Sequence, residues 1–167
     1  MRASIIALVE KCIVEQGAEQ RNRRSRQGVQ TFVERIAVGF DARGLPARYP
    51  APFAVNLFAD DSTFVEPDIS VVCDRDKLSD RGCEGAPDMV VEVVSPSNPE
   101  MDYVSKLNLY REAGVREYWI CDPMEGRTVA YVFDSTPMMH VYPFSDAVPS
   151  EVLGGLSVDF SQIVADM

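Results

Sequence analysis

Two stretches, Glu66-Pro67-Asp68-Ile69-Ser70-Val71-Val72 and Ala86-Pro87-Asp88-Met89-Val90-Val91-Glu92-Val93-Val94, decide how the chain is read. Each carries Pro-Asp near its start, continues in β-branched residues, and holds a carboxylate where a sheet residue is ordinarily apolar. Asp is a poor strand former, and an ionised carboxylate in a buried strand is costly unless something compensates for it. A divalent cation is one compensation. A lysine is another, and Lys106 lies on the helix predicted to follow. On period two, Asp88, Val90, Glu92 and Val94 share one face. The nearly unbroken apolar run predicts that Asp88–Val94 is a strand buried on both faces.

Upstream, Pro52–Phe58 alternates, with Phe53, Val55 and Leu57 on one side, and predicts a strand. Asp60-Asp61-Ser62 is turn chemistry and implies a hairpin into a second strand, Thr63–Val72. Pro67 inside that run marks a break, a bulge or an edge position. The polar stretch 74–86 is expected to be a loop. Downstream, Asn98, Pro99 and Glu100 suit the N-cap and first turn of a helix that runs to about Ala113 and stops at Gly114. Tyr103, Leu107 and Tyr110 form its apolar stripe, with Lys106 at the margin, its stem free to lie along the core and its head to reach the third strand. The plainer alternative for Lys106 is a surface pair with Asp102 at i,i+4. Glu117–Cys121, Thr128–Phe133 and Met138–Tyr142 are three further strands, and a short helical pattern lies near Phe160–Val164. Two helices are expected ahead of all this, over residues 4–16 and 29–42, the second with Val29, Phe32, Val33, Ile36 and Phe40 on one face.

The chain has 167 residues and no obvious linker, so one domain is expected, with a divergent N-terminal segment 1–48 and a core from about 49 to 167. The net charge of −10 argues against simple nucleic-acid binding. It is unevenly spread: residues 1–50 hold nine Lys/Arg and five Asp/Glu (+4), and the remainder seven and twenty-one (−14). The basic run Arg21-Asn22-Arg23-Arg24-Ser25-Arg26 is either a solvated connector, the plainer reading, or an arm in which Arg23, Arg24 and Arg26 contact phosphates. The four cysteines make no C-x-x-C pair and there is one histidine, His140, which argues against a zinc site. Cys73 and Cys121 lie in apolar runs and are expected in the core, in keeping with a reduced, cytoplasmic compartment. The apolar start is cut short by Glu10 and Lys11, and no stretch has the length of a membrane span.

The order helix, strand, strand, strand, helix, strand resembles the core of the restriction-endonuclease-like fold, the PD-(D/E)xK nuclease superfamily: an α/β protein with a mixed sheet and an αβββαβ core, here with an added C-terminal β-hairpin. Its motif sets an Asp near the start of the second core strand, then an acidic residue and a Lys two positions apart on the third. Pro67-Asp68 and Glu92-Val93-Val94 fall at those places, with Val94 where Lys is expected. More narrowly, Glu66-Pro67-Asp68-Ile69-Ser70-Val71-Val72, Pro87-Asp88, Val90-Val91-Glu92-Val93-Val94-Ser95-Pro96-Ser97, Asp102-x-x-x-Lys106, Tyr110 and Gly114-Val115-x-Glu117-Tyr118-Trp119-Ile120-x-Asp122-Pro123 resemble the Uma-two family of restriction-endonuclease-like proteins. The likeness runs from about Tyr49 onward. Before it, the family's Glu-Leu-x-x-Gly strand and helix-starting histidine are not found, and Arg26-Gln27 sits about where the histidine belongs.

The resemblance implies a Mg²⁺- or Mn²⁺-dependent endonuclease acting on DNA. Asp68 and Glu92 are hard oxygen ligands of the kind Mg²⁺ takes, the Val93 carbonyl adds a third ligand, and Lys106 supplies the ammonium from the adjoining helix. Glu34 is the candidate for a further acidic ligand. Asp88 is the alternative to Asp68 as the motif's Asp, although it shares a strand with Glu92; otherwise Asp68 and Asp88 each merely cap a turn after proline. Asp102 and Asp122 are expected to be structural, and Tyr118 and Trp119 to be core, with base stacking by Trp119 the lesser alternative. A symmetric homodimer is expected, because two sites suit two strands. Two other classes stay open: a non-catalytic binding or assembly module on the same fold, and another metal-dependent hydrolase.

Overall fold

The computed structural model describes Val33, Ile36 and residues 47–165, apart from Asp61, residues 95–100 and Ser135. The expected helix 4–16, the basic run, Glu34, and the helix cap at Asn98–Glu100 lie outside the described residues. Val33 and Ile36 are helical and buried, as the second helix requires.

The main sheet takes β1 (Ala47–Pro50), β4 (Ile69–Val72), β7 (Met89–Val93), β8 (Glu117–Asp122), β9 (Arg127–Val132) and β10 (Met138–Pro143), in the order β1-β4-β7-β8-β9-β10. Neighbours are antiparallel except β7 and β8, which are parallel. A parallel pair needs a crossover, and the helix after β7 supplies it. That helix, α1, is π-helical over Met101–Lys106 and α-helical over Leu107–Ala113. It ends at Gly114, whose φ of 90° is the left-handed stop that glycine adopts without penalty.

Every residue of β4, β7 and β8 is buried, which is why their sequences lack a clean polar alternation. One face of the sheet carries Ile69, Val71, Met89, Val91, Val93, Trp119 and Cys121. It packs against Val33, Ile36 and the C-terminal segment, where β11 (Ala147–Pro149) and β12 (Ser157–Asp159) form a hairpin and α2 (Phe160–Ala165) follows. The other face carries Val72, Val90, Val94, Tyr118, Ile120 and Val129 under Tyr110 of α1. A small sheet completes that layer: β2 (Val55–Asn56), β3 (Phe64–Val65), β5 (Leu78–Ser79) and β6 (Gly82–Glu84), in the order β3-β2-β6-β5.

Several expectations change. The first core strand is β1, over Ala47–Pro50, and not Pro52–Phe58, of which only Val55–Asn56 is strand, in the small sheet. Asn56 is buried along with Val55 and Leu57, anchored through its amide to Glu84 at 2.8 Å, so alternation there was only apparent. The run Thr63–Val72 splits at Glu66-Pro67-Asp68 into β3 and β4, which belong to different sheets. The stretch 74–86 is no plain loop, since β5 and β6 pair within it. Cys73 is exposed rather than core, whereas Cys121 is buried.

Candidate active site

The site grows out of one register. Ile69 pairs with Val91, so one step further along the two antiparallel strands sets Asp68 beside Glu92, both on the face that α1 covers. The Asp68 N–H points at Glu92 Oε2 at 3.4 Å, and the Val93 N–H donates to Asp68 Oδ2 at 2.7 Å. Pro67 ends the pairing at this point, and the strand edge it frees is what lets the Asp68 carboxylate take the Val93 amide. Both carboxylates are almost wholly buried, Asp68 at 2% and Glu92 at 1% exposure.

The lid of this pair is α1. Asp102, Lys106 and Tyr110 recur every four residues and share one side of the helix. Lys106 Nζ lies 3.1 Å from Glu92 Oε1 and 2.8 Å from Asp102 Oδ1. The Tyr110 hydroxyl donates to Glu92 Oε1 at 2.6 Å, and the Tyr118 hydroxyl to the Asp102 carbonyl at 3.2 Å. The two readings of Lys106 are therefore both realised: it pairs with Asp102, though in a buried setting, and it reaches Glu92. Val94, at the motif's Lys position, is 4% exposed and packs in the apolar layer with Tyr110 and Ile120. The π-helical stretch that carries Lys106 is a rare form that often marks functional sites.

The electrostatics are lopsided. Three buried carboxylates surround one ammonium. Burial, and then the neighbouring Glu92, push the Asp68 carboxyl well above its usual range. Burial also raises Glu92, with Lys106 and the Tyr110 hydroxyl partly holding it down. At Lys106 burial disfavours the charge, but Glu92 and Asp102 outweigh it, and the ammonium is held more firmly than usual. Burial, with Glu92 alongside, lifts the Tyr110 phenol well above its normal value, so it stays a proton donor.

Among the described residues these bonds leave two carboxylate oxygens, Asp68 Oδ1 and Glu92 Oε2, without a close donor, the second met only by the long contact from the Asp68 N–H. The donor set fits a hard cation that keeps most of its waters, as Mg²⁺ does. Among the described residues no three His, Cys, Asp or Glu side chains group into a metal site on their own, so any cation here relies on two side chains, backbone and water.

The other candidates fall elsewhere. Asp88 is four residues before Glu92 on the same strand, about 13 Å away. It accepts from the Cys73 N–H at 2.8 Å and sits 3.6 Å from Arg116, which makes it a strand-end brace. Glu34, Arg23, Arg24 and Arg26 lie outside the described residues. Asp122 accepts from Tyr103 and from the Met124 and Glu125 N–H groups, a turn-holding role. Tyr118 and Trp119 are fully buried core residues, and His140 is on the edge strand β10. Tyr110 was expected as part of a stripe and among the residues of the family likeness, with no role at the site. Its spacing of four from Lys106, with Asp102 four before, was the signal that it belongs to the site.

This is a nuclease-like fold with a carboxylate pair and a lysine set between its central strands and crossover helix. The chain belongs to the Uma2 family, described as "Putative restriction endonuclease", which matches residues 15–161 and so reaches back beyond Tyr49 into the segment where the likeness had seemed to fade. Among solved structures it is similar to the crystal structure of a putative nuclease of DUF820 from Anabaena variabilis, with a TM-score of 0.59 and 16% identity, over 99% of this chain and 83% of that one. No curated protein matches the chain. No described helix is long and apolar enough to cross a membrane.

Proposed function

We propose that this chain is a Mg²⁺- or Mn²⁺-dependent endonuclease that hydrolyses phosphodiester bonds of DNA, with Asp68, Glu92 and Lys106 as its catalytic residues. The observation that carries this reading is the juxtaposition of Asp68 and Glu92 under Lys106, with negative charge in excess inside a buried cluster. Asp68, Glu92 and the Val93 carbonyl would hold the cation. In an extended strand a residue's C=O leaves on the same edge as its N–H, and the Val93 N–H is directed at Asp68. When bound, the cation would polarise the phosphoryl oxygen and lower the pKa of the attacking water. Lys106 holds its proton and sets positive charge where the phosphorane charge develops. Tyr110 fixes one oxygen of Glu92, leaving the other to face the ligand.

Glu34 is the candidate for a further acidic ligand, and Arg23, Arg24 and Arg26 for phosphate contacts. A homodimer acting in the cytoplasm completes the proposal. One observation favours the second reading, a binding module without turnover: the near-complete burial of both carboxylates.

The test is a cleavage assay with Mg²⁺ and Mn²⁺ on single-stranded, duplex and branched DNA, comparing the wild type with Glu92→Gln. Metal-dependent cleavage by the wild type alone is the expected result. Equal cleavage by the variant removes Glu92 from the mechanism. Absence of cleavage by both, with no calorimetric metal binding, transfers the chain to the binding-module reading.

A further inference from the structure

Beside the site helix lies a groove of about 230 Å³ that none of the groups above uses. Asn108 and Arg111 of α1 form one wall; Tyr131 and Phe133, at the end of β9, form the floor; Met138 and Met139 of β10 form the other wall. The volume falls below the roughly 300–1,000 Å³ of sites for drug-sized ligands, and suits a single ring system.

Its chemistry is distinctive. The Tyr131 and Phe133 rings are nearly parallel, 19° apart with centroids at 6.3 Å, on the same sheet face as Glu92. Met139, opposite Tyr131 on the same face, is 56% exposed and offers adaptable apolar surface for a flat group. Arg111 is exposed and has no carboxylate within ion-pair distance among the described residues. A cation without an acidic partner among the described residues, in a body that carries −14 beyond residue 50, is a local attraction for an anion where the surrounding charge repels one.

We propose that this groove is a nucleobase subsite: an unpaired base of the bound strand stacks on Tyr131 and Phe133 while Arg111 takes a phosphate of that strand. The inference rests on the nuclease reading and narrows its substrate class. A paired base offers no free face to an aromatic floor, so the substrate is a strand with unpaired bases, whether single-stranded, flapped or branched.

The test is fluorescence anisotropy on the full chain in EDTA, with labelled oligothymidine and a blunt duplex of equal length, for wild type, Arg111→Glu, Tyr131→Leu and Glu151→Gln. The expected result is tighter wild-type binding to oligothymidine than to duplex. Arg111→Glu and Tyr131→Leu should each weaken oligothymidine binding about tenfold, with Glu151→Gln, an exposed position remote from groove and site, unchanged. Arg111 is exposed, so its variant keeps the test valid if Tyr131→Leu folds poorly. Wild-type affinity in both variants overturns the subsite, as does equal binding of duplex and single strand. A dimer in sedimentation that Arg111→Glu dissociates without altering oligothymidine binding also overturns it, by assigning the groove to a second copy. None of these outcomes decides the nuclease reading, which stands or falls on metal-dependent cleavage lost in Glu92→Gln.

Discussion

At the scale of single residues, the buried cluster makes predictions of opposite sign. Lys106→Met leaves Glu92 and Asp102 buried without their ammonium, and removing one partner of a buried ion pair typically costs about 3–5 kcal/mol. Urea unfolding should show a loss of that order, together with loss of cleavage. Asp68→Asn removes a carboxylate whose ionised form burial opposes, so the metal-free protein should gain stability while cleavage disappears. A loss of stability in Asp68→Asn would mean that the Val93 amide bond outweighs the charge cost. Tyr110→Phe deletes a 2.6 Å hydrogen bond to Glu92 and should cost about 1.5–3 kcal/mol in the same unfolding experiment. The carboxylate pair was legible in the sequence because Asp and Glu stand out in β-branched runs. The partners of Glu92 were less so, because tyrosine and aspartate on a helix have commoner uses as core and surface residues.

At the scale of elements, legibility followed length. The long runs that became β7, β8, β9 and β10 were placed to within a residue or two, and Gly114 was the stop it looked to be. The two- and three-residue strands of the small sheet were not visible, since so few residues carry no period and their pairing is set by tertiary contact. β1 carries no strand signal of its own, because it is four residues long and closed by Pro50, tolerated where the strand sits at the sheet edge among the described residues. Gly82 joins the small sheet together. Its φ is +131°, and a Cβ there would overlap the Ala54 carbonyl oxygen, which accepts the Cys83 N–H. Gly82→Ala should therefore cost at least about 1–3 kcal/mol from backbone conformation alone. The parallel pairing of β6 with β2 should loosen with it, measurable as faster amide exchange at Cys83 and Gly85. Unchanged exchange would show that β6 shifts without leaving its partner.

At the scale of the whole molecule, the buried charge couples stability to pH and to metal. The folded-state pKa values of Asp68 and Glu92 are raised, mainly by burial. Between the ordinary carboxylate value and the raised one, the native state therefore binds more protons than the unfolded chain. Stability must fall as pH rises through that window. Lys106 acts in the opposite range, since its raised value affects stability only near and above the ordinary lysine pKa. The chain has a single tryptophan, Trp119, which is fully buried, and its indole N–H donates to Glu117 at 2.6 Å, so its fluorescence reports global unfolding. In EDTA, the melting temperature should decline as pH rises above the ordinary carboxylate value and the pair loses its protons. Under the proposed reading, Mg²⁺ at about a hundred times its dissociation constant should add about 2.7 kcal/mol. The gain should be larger at the alkaline end, where cation and proton no longer compete. Asp68→Asn should flatten the decline and abolish most of the Mg²⁺ effect, which separates this pair from the general repulsion of a chain with net charge −10. A decline of equal slope in Asp68→Asn would assign the pH dependence to the surface, and a melting temperature indifferent to Mg²⁺ would count against a cation between Asp68 and Glu92.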